Sequence, residues 1–159
     1  MPIVLIRVDD RLIHGQILEG WLPSTRAEEL LIANDALAED ELQKMIMESA
    51  IPYTISVVID SVERIASILL NESSSQTRRM VIVDKPIDAL RLRKAGVKFD
   101  MLNLGNLAEA EYKTCLSRSI AVGEECLNAL REILDEGIRI NIQSVPFEKA
   151  VELHTIREI

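Results

Sequence analysis

The sequence predicts an α/β protein: a single-domain, open, mostly parallel sheet with helices on both faces. Three observations support this fold class. Short aliphatic runs recur along the chain, amphipathic stretches with helical spacing lie between them, and glycines stand where a helix must turn back into a strand. The chain has 159 residues, which suits one domain, so we take 1–159 as a single unit whose pattern is less regular from about residue 147.

Six aliphatic runs have the composition of strands that are covered on both faces. In order they are residues 3–6, 30–32, 55–59, 80–83, 101–104 and 138–142. Residues 13–21 are predicted to form a helix, because Ile13, Ile17 and Trp21 then fall on one face. Two further helical stripes are formed by Val62, Ile65, Ala66 and Leu69, and by Leu127, Leu130 and Leu134.

The residues at the element boundaries agree with this alternation. Asp60, with Glu63 three positions later, has the pattern of a helix N-cap, and Pro86 suits the first turn of the next helix. Gly96 and Gly137 suit left-handed helix ends. In a sheet of this kind ligands bind beyond the carboxyl ends of the strands, so we look for function in the loops that follow the aliphatic runs.

Composition excludes several classes of function. The 26 acidic and 18 basic side chains give a formal charge of −8, which disfavours nucleic-acid binding and direct contact with anionic lipid. No apolar run approaches a membrane span or the core of a signal peptide, so we predict a cytoplasmic protein. Cys115 and Cys126 are predicted to be buried thiols, and no second histidine with ligand spacing supports a metal site.

The first loop carries most of the chemistry, in the segment Arg-Val-Asp-Asp-Arg-Leu-Ile-His-Gly-Gln at residues 7–16. His14 is predicted in the first turn of a helix, where the dipole favours an anion and a neutral, nucleophilic imidazole. Arg7 and Arg11 match phosphate oxygens, and Asp9 or Asp10 could hold the ring in one tautomer. This combination suits a histidine that accepts and donates a phosphoryl group.

Simpler roles stand beside that interpretation. Asp10 could be only a loop or helix cap, and the arginines could only balance the two carboxylates at the surface. His154, in a polar tail, is predicted to be solvated.

The segment 7–16 closely resembles the signature of the enzyme IIB components in the mannose/fructose/sorbose family of the bacterial phosphoenolpyruvate-dependent sugar phosphotransferase system. The similarity spans nearly the whole chain. It continues at Trp21, residues 32–35, 84–86, 103–105, 134–137 and 145–146.

The resemblance implies a cytoplasmic protein-N(pi)-phosphohistidine–sugar phosphotransferase component. Phosphate would pass from the phosphohistidine of a IIA partner to His14, and then to a sugar translocated by membrane IIC and IID partners, with no cofactor, nucleotide or metal. The membrane would be reached only through those partners. By matching positions, Arg11 and Asp10 act with His14 in catalysis. Gly15, Arg7 and Gln16 surround the phosphate, with Arg7 and Gln16 in supporting roles.

Two departures from the family pattern lead to an alternative function. Asn106 stands where the family has a second glycine, and we expect it to preserve a turn through a positive φ. The acidic stretch with Glu109 and Glu111 is expected to weaken a phosphate site by repulsion. A regulatory or interaction module that retains the IIB fold is therefore the alternative.

A second class of function is a receiver domain phosphorylated on aspartate with magnesium. Asp9, Asp10 and Asp60 would form its acidic pocket. The sequence leaves a homodimer open.

Overall fold

The structure, a computed structural model, describes residues 3–112 and 114–154, which form one nine-stranded sheet. The strands run in the order β3-β2-β4-β1-β5, and two short pairs extend the sheet beyond β5. Only β6 and β9 run antiparallel to their neighbours in this part of the chain, which confirms an open, mostly parallel sheet. The strands are β1 Ile3–Asp9, β2 Glu29–Ala33, β3 Ser56–Asp60, β4 Arg79–Val83, β5 Met101–Ala108, β6 Thr114–Ser117, β7 Ile120–Val122, β8 Arg139–Ile142 and β9 Val151–Leu153.

Helices cover both faces of the sheet, as predicted. On one face α4, α5 and α6 bury their apolar stripes in the larger core, and on the other a π-helix, α1 and α2 bury theirs in the smaller core. The helical spacing identified the stripes of α4 and α6 and the face of the π-helix with Ile17 and Trp21. The elements are the π-helix Gln16–Trp21, α1 Leu22–Thr25, α2 Asp35–Ala38, α3 Glu41–Ser49, α4 Val62–Asn71, α5 Pro86–Lys94 and α6 Glu124–Asp135.

All six predicted strands are present, and most boundary signals hold. Pro86 is the first residue of α5, and Gly96 and Gly137 take φ of 110° and 82°. The N-cap of α4 is Ser61 and not Asp60, because the Ser61 hydroxyl accepts the Arg64 N–H at 3.1 Å. The sequence placed the N-cap one residue too early, because aspartate and serine are both good N-cap residues.

The prediction of strand–helix alternation along the whole chain is wrong in two places. After β5 the chain forms the hairpin β6–β7, and β9 pairs antiparallel with β8 near the end of the described chain. These strands have only four, three and three residues, too few for a period of two to be recognised. His154 follows β9 and is exposed, as predicted.

The helix predicted over residues 13–21 begins later and has a different geometry. Its regular part starts at Gln16 as a π-helix, so His14 lies just before the helix and not within its first turn. The His14 carbonyl accepts the N–H groups of Ile17 and Leu18, both at 3.0 Å. The chain is therefore anchored immediately after the histidine, and π-helical turns occur frequently at functional sites.

Asn106 does not form the turn that was expected of it. The residue lies inside β5, and the non-glycine residues with positive φ in the described chain are Leu12 and Arg26. The Asn106 side-chain amide donates instead to the Asp10 carboxylate. Asparagine is thus accommodated here by a hydrogen bond to the neighbouring loop.

The two cysteines differ in environment, so the prediction that both are buried is wrong for Cys115, which is exposed. Cys126 is buried in α6, and its pKa is raised to about 12 by burial and by the hydrogen bond to the Glu109 carboxylate.

We expect iodoacetamide to alkylate Cys115 in the folded protein while Cys126 stays unmodified at about pH 8, because the thiolate is the reactive form. Peptide mass spectrometry after timed labelling measures both sites. Labelling in denaturant is the control in which both cysteines react. Equal rates at the two sites in the native protein would contradict this assignment.

A candidate histidine site at the carboxyl edge of the sheet

The site lies where the central strand β1 ends. From β1 the chain enters the π-helix on one face of the sheet, whereas from the neighbouring strand β4 it enters α5 on the other face. Connections that leave adjacent parallel strands toward opposite faces open a crevice at their carboxyl ends. The loop that carries His14 stands at this crevice.

The two ring nitrogens of His14 have different partners. Nε2 lies 2.7 Å from Oδ2 of Asp9, which can only accept, and Nδ1 lies 3.3 Å from the backbone N–H of Gln16, which can only donate. A neutral imidazole satisfies both partners only as the Nε2–H tautomer. The lone pair is then on Nδ1. The side chain is 15% exposed, so solvent reaches the ring.

Asp9 is fully buried at the end of β1. Its Oδ1 accepts the backbone N–H of Arg11 at 3.1 Å, and its Oδ2 accepts from Arg7 as well as from His14. Burial by itself would raise the pKa of Asp9. The hydrogen bond and charge of His14, the charge of Arg7 and the Arg11 N–H outweigh burial, so the pKa is lowered and the carboxylate stays ionised.

Arg7 was predicted to lie in the surroundings of the phosphate, and the structure gives it a different place. Its side chain is fully buried, and the five N–H bonds of the guanidinium match five hydrogen bonds. No donor is therefore left for an anion, and Arg7 supports the site from beneath. The acceptors are Asp9 Oδ2 for Nε and for Nη2, Asn103 Oδ1 and the Gln143 carbonyl for Nη1, and the Ser144 carbonyl for Nη2.

Arg11, Gly15 and Gln16 stand at the open side of the loop. The Arg11 side chain is 44% exposed, with Nε 3.6 Å from Asp9 Oδ1 and Nη2 donating to Gln16 Oε1 at 2.7 Å. No atom lies within 4 Å of the position that a Cβ on Gly15 would take. This arrangement leaves space and an exposed guanidinium beside His14.

The loop is held in shape on its other side by Asp10 and Leu12. The exposed Asp10 carboxylate accepts from the Asn106 amide and from the Ala108 N–H, the latter at 2.9 Å. Leu12 is buried with a φ of 57°, a conformation that non-glycine residues adopt rarely and that is found at functional sites. Of the two carboxylates considered from the sequence, Asp9 contacts the ring, and Asp10 anchors the loop to β5.

The other loops at this edge use their polar residues structurally. Asn34 caps α2 through the Leu37 N–H at 2.8 Å, and Asp35 accepts from Val62 N at 3.0 Å and from Arg91 at 2.8 Å.

A separate cleft of about 500 Å³ lies between the loops after β4 and β5. Its lining residues include Asp84, Lys85, Asp88, Glu109 and Glu125. Among the described residues, no group of three or more His, Cys, Asp or Glu side chains is placed to hold a metal ion.

Several groups of the site were given no role from the sequence, although Trp21 and residues 103–105 belong to the segments that carry the family resemblance. Asn103, the carbonyls of residues 143 and 144 and the ring of Trp21 all surround the Arg7 guanidinium, with its Cζ 4.8 Å from the Trp21 ring centroid. The sequence does not show which backbone carbonyls will accept hydrogen bonds from a side chain. The glycine of Asn103-Leu104-Gly105 does carry one, because a Cβ at Gly105 would lie 1.9 Å from Arg7 Cζ.

The fold and the site together define a class of protein: an α/β protein with a solvent-accessible histidine at the switch point of a parallel sheet, oriented by a buried carboxylate and flanked by an exposed arginine. The chain matches the family model of the PTS system sorbose subfamily IIB component over residues 3–158. The chain belongs to that family and is thus a IIB component, a phosphoryl carrier, of the sugar phosphotransferase system (PTS).

Individual relatives agree with this assignment. The N-acetylgalactosamine-specific phosphotransferase enzyme IIB component 2 of Escherichia coli is 33% identical over 161 residues, covering 96% of this chain and 98% of the relative. The mannose-specific EIIAB component of Escherichia coli is 27% identical over 153 residues, covering 96% of this chain and 47% of that protein. The crystal structure of the IIBSor domain of the Klebsiella pneumoniae sorbose permease superposes with a TM-score of 0.89 at 27% identity, covering 97% and 94% of the two chains.

None of the helices in the described chain combines enough length with enough apolar character to cross a membrane.

Proposed function

We propose that His14 is the phosphoryl acceptor of this IIB component and that Nδ1 is the atom that carries the phosphate. The observation that carries this proposal is the contact of Nε2 with the buried Asp9 carboxylate at 2.7 Å. This contact leaves the lone pair of Nδ1 as the nucleophile. The donor is the phosphohistidine of a IIA protein.

The transfer step needs no cofactor. The Nδ1 lone pair of His14 attacks phosphorus, the bond between phosphorus and the donor's ring nitrogen breaks, and the electron pair of that bond returns to the donor imidazole. Because one imidazole replaces another, the protein contributes positioning and charge stabilisation more than covalent chemistry. Asp9 balances the positive charge that develops on the His14 ring as the new bond forms.

The residues around Nδ1 suit a phosphoryl group. The Gln16 N–H, 3.3 Å from Nδ1, is released when the lone pair bonds to phosphorus and can then donate to a phosphoryl oxygen. Gly15 leaves room beside it. Arg11 supplies a guanidinium that reaches the phosphate by exchanging its bond to Gln16 Oε1. Asp10 acts indirectly, by holding the loop against β5.

The next acceptor is a sugar translocated by membrane IIC and IID proteins, and the carrier works in the cytoplasm as their soluble partner. Support for a IIA donor comes from the mannose-specific EIIAB relative, whose name joins an A and a B component. The relatives' names include fructose, mannose, sorbose and N-acetylgalactosamine, which supports a hexose or hexosamine as the class of substrate.

The proposal is tested by intact-mass analysis of the purified protein. Phosphoenolpyruvate, the general phosphotransferase proteins and a phosphorylated IIA protein are supplied, and we expect a gain of one acid-labile phosphoryl group. Labelling should survive chelation of magnesium after IIA has been phosphorylated and separated. A phosphate that requires magnesium and behaves as an acyl phosphate would indicate a receiver. No gain, together with binding to a membrane partner, would indicate the interaction module.

We expect Arg11→Ala to slow phosphoryl uptake about tenfold or more, equivalent to about 1.4 kcal/mol of transition-state stabilisation. The reason is the loss of the exposed guanidinium that neutralises the transferred group. Rapid-quench measurement of phosphorylated protein gives the rate. Arg26→Ala, at another exposed arginine of the chain, is the matched control. Equal rates for the two variants would exclude a role of Arg11 in transfer.

A further inference from the structure

The Arg7 side chain is a buried cation whose environment is more specific than charge balance requires. Its guanidinium is stacked on Trp21, pairs with Asp9 through two nitrogens, and donates to Asn103 and to two carbonyls. Asn103 is itself oriented, because its Nδ2 donates to Asn141 Oδ1 at 2.9 Å and its Oδ1 therefore faces Arg7. The guanidinium plane is thus fixed on all its edges.

Gly105 makes space for this arrangement. In the pairing of β1 with β5, Val8 is opposite Leu104 while Asp9 is opposite Asn106, so Gly105 is the extra residue of a bulge. A Cβ at this bulge would lie within 2.0 Å of Arg7 Cζ and Nη2. Gly105 does not have a positive φ, so the requirement for glycine here is steric.

The contacts of Asp9 connect this cluster to the histidine. Oδ2 of Asp9 accepts from Arg7 Nε at 3.3 Å, from Arg7 Nη2 at 3.2 Å and from His14 Nε2 at 2.7 Å. With only the His14 and Arg11 contacts, each a single hydrogen bond, the carboxylate could still turn about its terminal torsion, which has a broad energy profile. Arg7 removes that freedom, because any rotation of the carboxylate breaks its paired hydrogen bonds.

We propose that Arg7 is a positioning residue for phosphoryl transfer: it holds the Asp9 carboxylate in the orientation that keeps His14 in the Nε2–H tautomer, and the bulge at Gly105 provides the space in which it does so. This inference rests on the proposed function for its kinetic consequence and on the geometry alone for the tautomer. Arg7 acts through Asp9 and makes no contact with the transferred group.

The same guanidinium also joins the site to the loop that follows β8. Nη1 and Nη2 donate to the Gln143 and Ser144 carbonyls, both at 2.8 Å, and Trp21 Nε1 donates to the Ser144 carbonyl at 3.0 Å. A displaced guanidinium therefore loosens the carboxylate and this loop together. The Gly105→Ala variant tests that displacement without removing any charge.

The experiment compares Gly105→Ala, Arg7→Lys and Arg7→Met with the wild type by long-range proton–nitrogen NMR correlations of the His14 ring and by the rate of phosphoryl uptake from phosphorylated IIA. We expect Nε2–H in the wild type, a mixture of tautomers in Gly105→Ala and Arg7→Met, and at least a tenfold lower rate in both. Arg7→Lys should recover part of the rate, because it retains a cation but not the fixed fork.

Ala129→Val is the matched control, because it adds bulk to the core on α6, away from the site. We expect it to lose thermal stability while its tautomer and rate stay at the wild-type values. In the wild type, the two Arg7 NH₂ groups should give separate, slowly exchanging signals, since every donor is bound; this measurement does not depend on any variant folding.

The possible results distinguish a failure of the positioning role of Arg7 from a failure of the proposed phosphoryl transfer by His14. An Nδ1–H ring in the wild type, averaged Arg7 signals, or variants that keep the wild-type tautomer would each overturn the positioning role. If the wild type takes up no phosphate although His14 is in the Nε2–H form and the variants disturb it, the proposed function fails while the positioning role holds.

Discussion

Substitution of His14 by alanine is expected to abolish phosphoryl uptake completely, the largest functional effect predicted for this chain. The imidazole supplies the nucleophilic atom, and no neighbouring side chain in the described loop can replace it, since Asp9 is buried and Asp10 is bound to β5. Intact-mass analysis after incubation with phosphorylated IIA measures the effect directly.

His154→Ala is the matched control for this experiment, because it removes the other histidine of the chain from an exposed position after β9. We expect it to be phosphorylated like the wild type. Normal labelling of the His14→Ala protein would show that the phosphate is carried elsewhere and would remove the basis for the proposed function. Loss of labelling in His154→Ala would move the assignment to the tail.

Replacing Asp9 by alanine is expected to have the largest effect on stability, about 3–5 kcal/mol of the free energy of unfolding. The substitution leaves the fully buried Arg7 cation without its anion, and breaking a buried ion pair from one side costs about this much. Asp10→Ala removes the adjacent, exposed carboxylate and should cost about 1 kcal/mol or less. Urea unfolding of both variants measures the difference, and equal losses would contradict the distinction between the two aspartates.

The pH dependence of stability follows from the same residue. The pKa of Asp9 is lowered in the folded state from its ordinary value of 3.8, so its stabilising contribution is present above that value and is lost as the pH falls through the folded pKa. The stability difference between wild type and Asp9→Ala should therefore shrink as the pH falls below about 4. A difference that shrinks already near pH 6 would point to another titrating group.

The residues of the histidine loop could be selected from the sequence because they are contiguous in the chain. His14, Arg11 and two carboxylates lie within six residues, and a contiguous segment is read directly from the chain. The choice between Asp9 and Asp10 could not be made from the sequence. In the structure the last residue of β1 points inward and contacts the ring, whereas the next residue turns toward Asn106, and that difference depends on where the strand ends.

The role of Arg7 illustrates the limit of local reasoning. An arginine in the same loop as the histidine suggests an anion site, yet its five acceptors include groups at positions 103, 143 and 144 that only the packing of β5 and β8 brings together. The Arg7 side chain occupies the space left by the missing Cβ of Gly105, and this position depends on the bulge in the pairing of β1 with β5. The spacing of residues within the loop indicates neither the bulge nor the distant acceptors of Arg7.

The sequence by itself determined the six core strands, the helical stripes of α4 and α6 and the contiguous loop for which a function is proposed. The reason is that burial produces aliphatic runs in strands covered on both faces and a period of 3.6 residues in helices. Only the tertiary structure decided the late hairpin, the start of the π-helix, the carboxylate that orients His14 and the burial of Arg7. The placement of the hairpin beside β5 and the burial of Arg7 depend on contacts between residues far apart in the chain, whose free energy is gained only after the sheet has formed.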